Sequence, residues 1–532
     1  MLMAIAGLVL LIACANLANL MLARASAREK EIAVRLALGA SRGRLIKQLL
    51  SESLMLAAIG AVVGFIIAQF LSRFLVAFIS GEGSSLFVDL SLDWRLLGFT
   101  AGIAILTSIL FGLTPAFKAT GMTVGSVLKD AGRGMTASRE RFGLRRILVV
   151  AQVALSLTLL VGALLFVRSL QNLMGVNAGF KQEGLVITDI DMTDLKLPKE
   201  RRLDYKRDLL ERVRAIPGVT SAAETSIVPL SGNGWNDSVE MLNTEPAKKG
   251  VPWFSRITPD FFKTMGGRIL AGRDFDSRDT VQSQKVAIVN ETFARQLVDG
   301  GSPLGKRFQV EVGPGDPELV YEIVGLVNDT KYQDLREEFK PIAFVAASQD
   351  STPDTGAQFV IASDLPTVAV TSAVKQVMSD ANPKISLDFH VFKTMIVDGL
   401  LQDRLMATLS GFFGLLAALL ATVGLYGVIS YMVAQRRNEI GIRMALGADR
   451  GTIVKMILGD AGLLLIIGIV VGTGAALGAS YWASSMLYGL KWHDPATIVM
   501  AIAVLGVVGL LASYIPAYRA SKVDPMNALR YE

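Results

Sequence analysis

At 532 residues, with 52% hydrophobic side chains and a mean hydropathy of +0.46, the chain is too apolar for a soluble protein and long enough for several domains. Its formal net charge of +6 comes from basic residues placed beside apolar runs, so it reads as membrane topology and not as a nucleic-acid surface. The single cysteine, Cys14, excludes a disulfide framework.

Apolar runs of roughly 20 residues, enough to cross a hydrocarbon core, occupy 1–23, 53–79, 96–117, 147–168, 405–434, 461–487 and 496–516. A polar block separates the fourth run from the fifth and holds 13 of the 17 prolines, which marks it as a folded domain outside the bilayer. The expected fold is a polytopic α-helical membrane protein of about seven spans with a large extracytoplasmic mixed α/β domain.

The first run, Met1 to Leu22, lacks a basic leader and enters a basic loop directly, so it is a span and not a signal peptide. That loop, 24–51, carries Arg24, Arg28, Lys30, Arg35, Arg42, Arg44 and Lys47, whereas 80–94 has no basic residue. The segment 117–146 adds Lys118, Lys129, Arg133, Arg139, Arg141, Arg145 and Arg146; 434–458 adds Arg436, Arg437, Arg443, Arg450 and Lys455. The positive-inside rule places these segments and the C-terminus in the cytoplasm and 169–404 outside. Met1 then starts on the outer side inside a hydrophobic segment, and an earlier span and outer domain are expected to precede it.

Two of the basic loops contain one stretch written twice. Residues 31–43 read EIAVRLALGASRG and 439–451 read EIGIRMALGADRG, identical at nine of thirteen positions. Glu31 and Arg35, like Glu439 and Arg443, stand four apart in the favourable acid-first order of a helix. Gly39 and Gly447 supply a left-handed stop, and Ser41 and Asp449 are N-caps for the next helix. Each copy is thus a rigid elbow with an apolar face: Ile32, Val34, Leu36 and Leu38 in one, Ile440, Ile442, Met444 and Leu446 in the other. A merely solvated turn has no need of that face, so the elbows are candidate docking sites.

The repeat extends further. Gly60 and Gly64 match Gly468 and Gly472, a GxxxG spacing that permits close helix packing. TPAFKAT at 114–120 matches IPAYRAS at 515–521. The organisation read from this is a three-span unit at 1–130 with its elbow at 24–51, a cytoplasmic linker at 131–146, a span at 147–168, the outer domain at 169–404, and a second three-span unit at 405–532 with its elbow at 434–458.

Within the outer domain, Leu185–Ile190, Val219–Val228, Lys285–Asn290 and Tyr321–Val327 read as strands. Lys199–Ala215, Glu291–Val298 and Pro366–Ser379 read as helices, and Thr258-Pro259 as a helix start with Thr258 as N-cap. GGSPLGKR at 300–307 fits GxxxxGK but has Arg307 where a phosphate loop needs Ser or Thr, so Gly301, Pro303 and Gly305 read as a turn before a strand. The two histidines, His390 and His493, have no ligand neighbours in sequence, and no GxSxG or HExxH constellation occurs. No catalytic, cofactor-binding or metal-binding residue is therefore assigned. A secondary transporter would place ionisable residues within its spans. The middles of these spans hold none, Asn16, Asn19 and Gln69 being the most polar features read there, which favours a motor outside the membrane.

The paired elbows, the PAYRAS-type endings, and the segments ITPDFFKTMGGRILAGRDF (257–275), VAIVNETFARQL (286–297), PLGKRF (303–308) and YEIVGLVNDTKYQDL (321–335) resemble the ABC-transporter permeases related to MacB and FtsX, specifically their duplicated subgroup. The resemblance implies a multi-pass permease subunit of the bacterial inner membrane with a periplasmic domain and no ATPase site of its own. It implies a separate cytoplasmic ATPase dimer that binds ATP and seats the elbows, mechanical transmission to the outer domain, and export of substrate. A periplasmic adaptor or envelope enzyme is a further implied partner. The resemblance also leaves open a motor-coupled regulator of envelope enzymes without transport, and the residues leave open a membrane sensor outside the ABC systems. The duplicated pattern also has a first span and a first outer domain, which this sequence lacks before residue 1.

Overall fold

The computed structural model describes residues 1–27, 41–79, 136–242, 248–298, 301–311 and 318–522, with further positions at 35, 38 and between 94 and 109. Two compact units divide the chain: residues 1–172 with 403–532, and residues 173–402.

The first unit is helical. Its elements are α1 (Leu2–Ala27), α2 (Arg42–Ile79), α3 (Thr136–Met174), and, after the second unit, α9 (Leu401–Gln435), α10 (Arg437–Ala445), α11 (Arg450–Trp482) and α12 (Pro495–Ala520). All but α10 contain a stretch long and apolar enough to cross a bilayer, giving six such helices among the described residues. The expected third span, 96–117, falls largely outside those residues. The expected linker, 131–146, is helical from Thr136 and forms the first turns of α3, so basic segment and span are one rod. Val153, Leu157, Leu425, Ile457, Leu465 and Leu505 form the centre of a shared core of α3, α9, α11 and α12. A second cluster joins α1 to α3 and α9 through Ile5, Val9, Ile12, Leu159 and Ala417.

The second unit is a twelve-stranded mixed sheet flanked by helices. In chain order it comprises β1 (Leu185–Asp191), α4 (Lys199–Arg214), β2 (Val219–Thr225), β3 (Val239–Met241), β4 (Lys249–Gly250), β5 (Trp253–Ile257), α5 (Phe261–Met265) and β6 (Ile269–Gly272). There follow β7 (Val286–Asn290), α6 (Glu291–Leu297), β8 (Arg307–Val310), β9 (Leu319–Val327), β10 (Ile342–Ala346), β11 (Gly356–Ser363), α7 (Thr367–Ala381), β12 (Ser386–Val391) and α8 (Phe392–Gly399). Strand order is β12-β1-β11-β2-β5-β10-β7-β9-β8-β3-β4, with β6 on β9. The β5–β10 and β7–β9 pairs are parallel.

The sheet has two lobes joined by a thin seam, because β2 and β5 pair only through Thr225 and Ile257. One lobe packs β1, β2 and β11 against α4 and α7 through Leu209, Val213, Phe359, Val374 and Met378. The other buries Phe254, Val289, Phe293, Phe308 and Ile323 against α6. The four strands and three helices expected from the sequence occur within a few residues of their ends. The Thr258 cap does not: its hydroxyl accepts from Glu224 N at 2.8 Å, and α5 begins after Asp260, which adopts φ +67°. A cross-strand amide has taken the side chain that local reasoning assigned to the helix. The 301–305 turn stands as read, with Gly301 and Gly305 both at φ +76° and β8 following.

Candidate functional site

The second elbow is resolved as helix, stop and helix. In α10, Arg443 pairs with Glu439 at 2.8 Å, as the four-residue spacing requires. Leu446 follows α10, and Gly447 then takes φ +94°. Gly447 N donates to Met444 O at 3.1 Å and Ala448 N to Arg443 O at 2.9 Å, the paired bonds of a Schellman stop. Asp449 accepts from Gly451 N at 3.1 Å and caps α11. Arg436, at the start of the elbow, bonds Asp460 of α11 at 2.6 Å, so α10 is tied to the membrane helix that follows it.

The apolar face read from the sequence is split by the fold. Ile440 is buried and Met444 packs against the core of the helical unit, so these two hold the elbow to its own chain. Ile442 remains half exposed and Leu446 is 83% exposed. In the first elbow Leu38, the repeat-mate of Leu446, is also 83% exposed. Glu31 and Gly39 lie outside the described residues.

The arginines do more than the sequence suggested. Arg35 donates to Gln48 on α2 at 3.2 Å, and its repeat-mate Arg443 donates to Met456 on α11. Gln48 and Met456 are themselves repeat-mates, so the same position in each copy folds back on the next helix. The different chemistry of the two acceptors hid this from sequence comparison.

The GxxxG pairs part company as well. A β-carbon at Gly468 would lie 2.6 Å from Val153 Cγ1, and one at Gly472 would lie 2.8 Å from Ala154 Cα, so α11 and α3 touch backbone to backbone. Gly60 and Gly64 have no described atom within 4 Å of that point, and the close approach expected for them is not made among the described residues. The two repeats also meet directly: in the α1–α9 contact, Ile5, Val9 and Ile12 share a cluster with Phe413, Ala417 and Leu420, their own repeat-mates. Repeat-mates gathered into one cluster are what a two-fold relation within one chain produces at its axis.

In the outer unit, a cleft of about 380 Å³ opens where the two lobes join. Lys206 and Glu224 pair at 3.1 Å on its wall, and burial pushes the Glu224 carboxyl up against the lowering effect of Lys206. Arg256 lies between Asp350 at 3.4 Å and the Trp235 ring at 4.5 Å. Asp189 accepts from Gln358 at 2.6 Å and lies 3.3 Å from His390. Sequence reading missed this cleft because its charges come from six separate segments.

Known proteins match both units. The FtsX-like permease C-terminal family matches residues 3–124 and 411–525, and the MacB-like periplasmic core domain matches 147–382. The chain belongs to the MacB/FtsX-like permease family. It is 27% identical over 272 residues to the uncharacterized ABC transporter permease YknZ of Bacillus subtilis, covering 50% of this chain and 66% of that protein. It is 26% identical over 334 residues to the macrolide export ATP-binding/permease protein MacB of Chromobacterium violaceum, covering 59% and 50%. The chain thus spans between half and about two thirds of the length of these relatives. The crystal structure of the periplasmic region of MacB from Actinobacillus actinomycetemcomitans aligns at 13% identity and a TM-score of 0.29, over 42% of this chain and 96% of that one.

Proposed function

We propose that this chain is a permease subunit of an ABC transporter in the bacterial inner membrane, driven by a separate cytoplasmic ATPase dimer that holds the ATP. The carrying observation is the pair of elbows: each is pinned to its own chain, yet each presents a bare leucine, Leu38 or Leu446, at the same repeat position and the same 83% exposure. Two equivalent apolar knobs beside charged residues suit two equivalent grooves, as on a dimeric motor, with the leucines giving affinity and the charges register.

Closure of the motor would draw the elbows together. Arg436–Asp460 and Arg443–Met456 would carry that displacement from α10 into α11. At Gly468 and Gly472, α11 bears on α3, which runs covalently into the periplasmic domain at Leu173. Displacement of that domain extrudes substrate on the outer side. The α1–α9 contact supplies within one chain the pairing that two copies of a shorter permease would make between chains.

The test is co-purification with a C-terminal tag from native membranes, with ATP hydrolysis assayed on the eluate. Leu446→Asp and Leu38→Asp are expected to abolish recovery of the ATPase while membrane insertion persists. Undiminished recovery from the double variant would overturn the coupling assignment.

A further inference from the structure

α3 is held to the two helices that follow the second elbow at two heights. One contact is the backbone approach at Gly468 and Gly472, where Thr158 Oγ1 also reaches the Gly472 carbonyl at 3.4 Å. The other lies at the outer end of α3, against the segment 483–494 that joins α11 to α12.

That outer contact is polar. Arg168 Nη1 donates to Thr497 Oγ1 at 2.8 Å and forms an ion pair with Asp494. Asp494 is the N-cap of α12 and accepts from Thr497 N at 2.9 Å. On the next residue of α3, Ser169 Oγ accepts from Tyr488 N at 2.8 Å. One turn further, Asn172 Nδ2 donates to the Gly489 carbonyl at 3.4 Å. Gly489 takes φ +64°, and a β-carbon there would lie 3.2 Å from Asn172 Nδ2, so the loop lies close against α3. Ser169 and Thr497 are buried.

Capping of α12 accounts for Asp494 and Thr497, but it needs no cation on α3. An arginine near the end of a span commonly extends to the headgroups. Arg168 turns to the neighbouring helix, and its side chain is only 34% exposed. The position matters mechanically. Ala154, which faces Gly472, and Arg168 are 168 − 154 = 14 residues apart, or about 21 Å along a helix. A rod touched at one point pivots about it, whereas a rod held at two separated points keeps its direction. Arg168 also lies just before Leu173, where the outer unit begins.

We propose that Arg168 is a positioning residue: with Asp494 it clamps the outer end of α3 to the α11–α12 segment, so that α3, α11 and α12 move as one body. The clamp stands on the helical unit alone, and its use in transmission rests on the coupling reading above. In that reading a push delivered by the elbow to α11 would, without the clamp, tilt α3 about the Gly472 contact and be dissipated before Leu173.

The test places nitroxide labels at Gln171→Cys, exposed near the end of α3, and Trp482→Cys, exposed at the end of α11. Cys14→Ser removes the native thiol, and spin-label distances are measured on the full chain in lipid nanodiscs, with and without the co-purified ATPase and ATP. The labelled parent is expected to give one narrow distance distribution that ATP does not shift. Arg168→Met should broaden it and make it shift with ATP. Asp494→Asn should do the same, because asparagine caps a helix as well as aspartate but carries no charge; a retained monodisperse gel-filtration peak separates loosening from unfolding. A distribution as narrow in both variants as in the parent overturns the clamp. A broadened distribution that ATP leaves in place overturns its role in transmission. Failure of the parent to recover an ATPase would overturn the coupling reading, and the nucleotide-free comparison would still decide the clamp.

Discussion

The two GxxxG copies offer a controlled comparison, because sequence treats them alike and the fold does not. Replacing Gly472 by Ala sets a β-carbon 2.8 Å from Ala154 Cα, 2.9 Å from Ala154 O and 3.1 Å from Leu157 Cβ. Carbon atoms pack at about 3.5–4.0 Å, so α11 and α3 would have to part by roughly 0.7 Å or more. Two of the three obstructing atoms are backbone and cannot rotate aside. Overpacking of this kind costs about 1–3 kcal/mol, and the rigidity of the neighbours places Gly472→Ala towards the upper end. Gly64→Ala meets no described atom within 4 Å, and the helix preference of alanine over glycine should leave it unchanged or stabilised by up to about 1 kcal/mol. Thermal unfolding of each variant in lipid nanodiscs, followed by retention of a monodisperse gel-filtration peak, separates the two. A Gly472→Ala protein as stable as the wild type, or a Gly64→Ala protein equally damaged, would refute the packing argument.

Other expectations follow from single contacts. Lys206→Met strands the Glu224 carboxylate in a buried setting, and removal of one partner of such a pair costs about 3–5 kcal/mol; chemical denaturation monitored in the outer domain reads it. Because the Glu224 carboxyl is raised above its ordinary 4.5, mainly by burial, the folded state keeps its proton where the unfolded chain has released it. The contribution of Glu224 to stability is therefore complete below that ordinary value and is lost as pH rises through the raised one. The difference in unfolding free energy between wild type and Glu224→Gln should fall across that window; a difference that rises with pH would contradict the sign. Asp449→Ala removes the cap on α11 and should cost about 1 kcal/mol, measurable as faster amide exchange at Gly451 with membrane insertion unchanged.

How much could be read in advance varied with the range of the interactions. The elbows were legible because their devices are local: a four-residue ion pair, a left-handed glycine and an aspartate cap all act within a few residues of themselves. Spans were legible for a related reason, since hydrocarbon thickness imposes a length on any apolar run that crosses it. In the outer domain, strands with continuous apolar runs such as Val286–Asn290 announced themselves, whereas short ones such as Val239–Met241 and Ile269–Gly272 did not, because their pairing partners are distant in sequence.

By itself, then, the sequence determined a duplicated membrane protein with two equivalent elbows and one outer domain. Tertiary structure alone decided which of the equivalent residues are used. Burial of Ile440 and Met444 against the spans left Leu446 as the free knob, and contact with Val153 and Ala154 made one GxxxG pair an interface while its copy faces no described neighbour. It also brought Asn16 of α1 and Gln152 of α3 to one acceptor, the Leu420 carbonyl of α9. A repeat specifies the same local chemistry twice, but each copy's neighbours are set by long-range packing, and packing need not be the same in both halves.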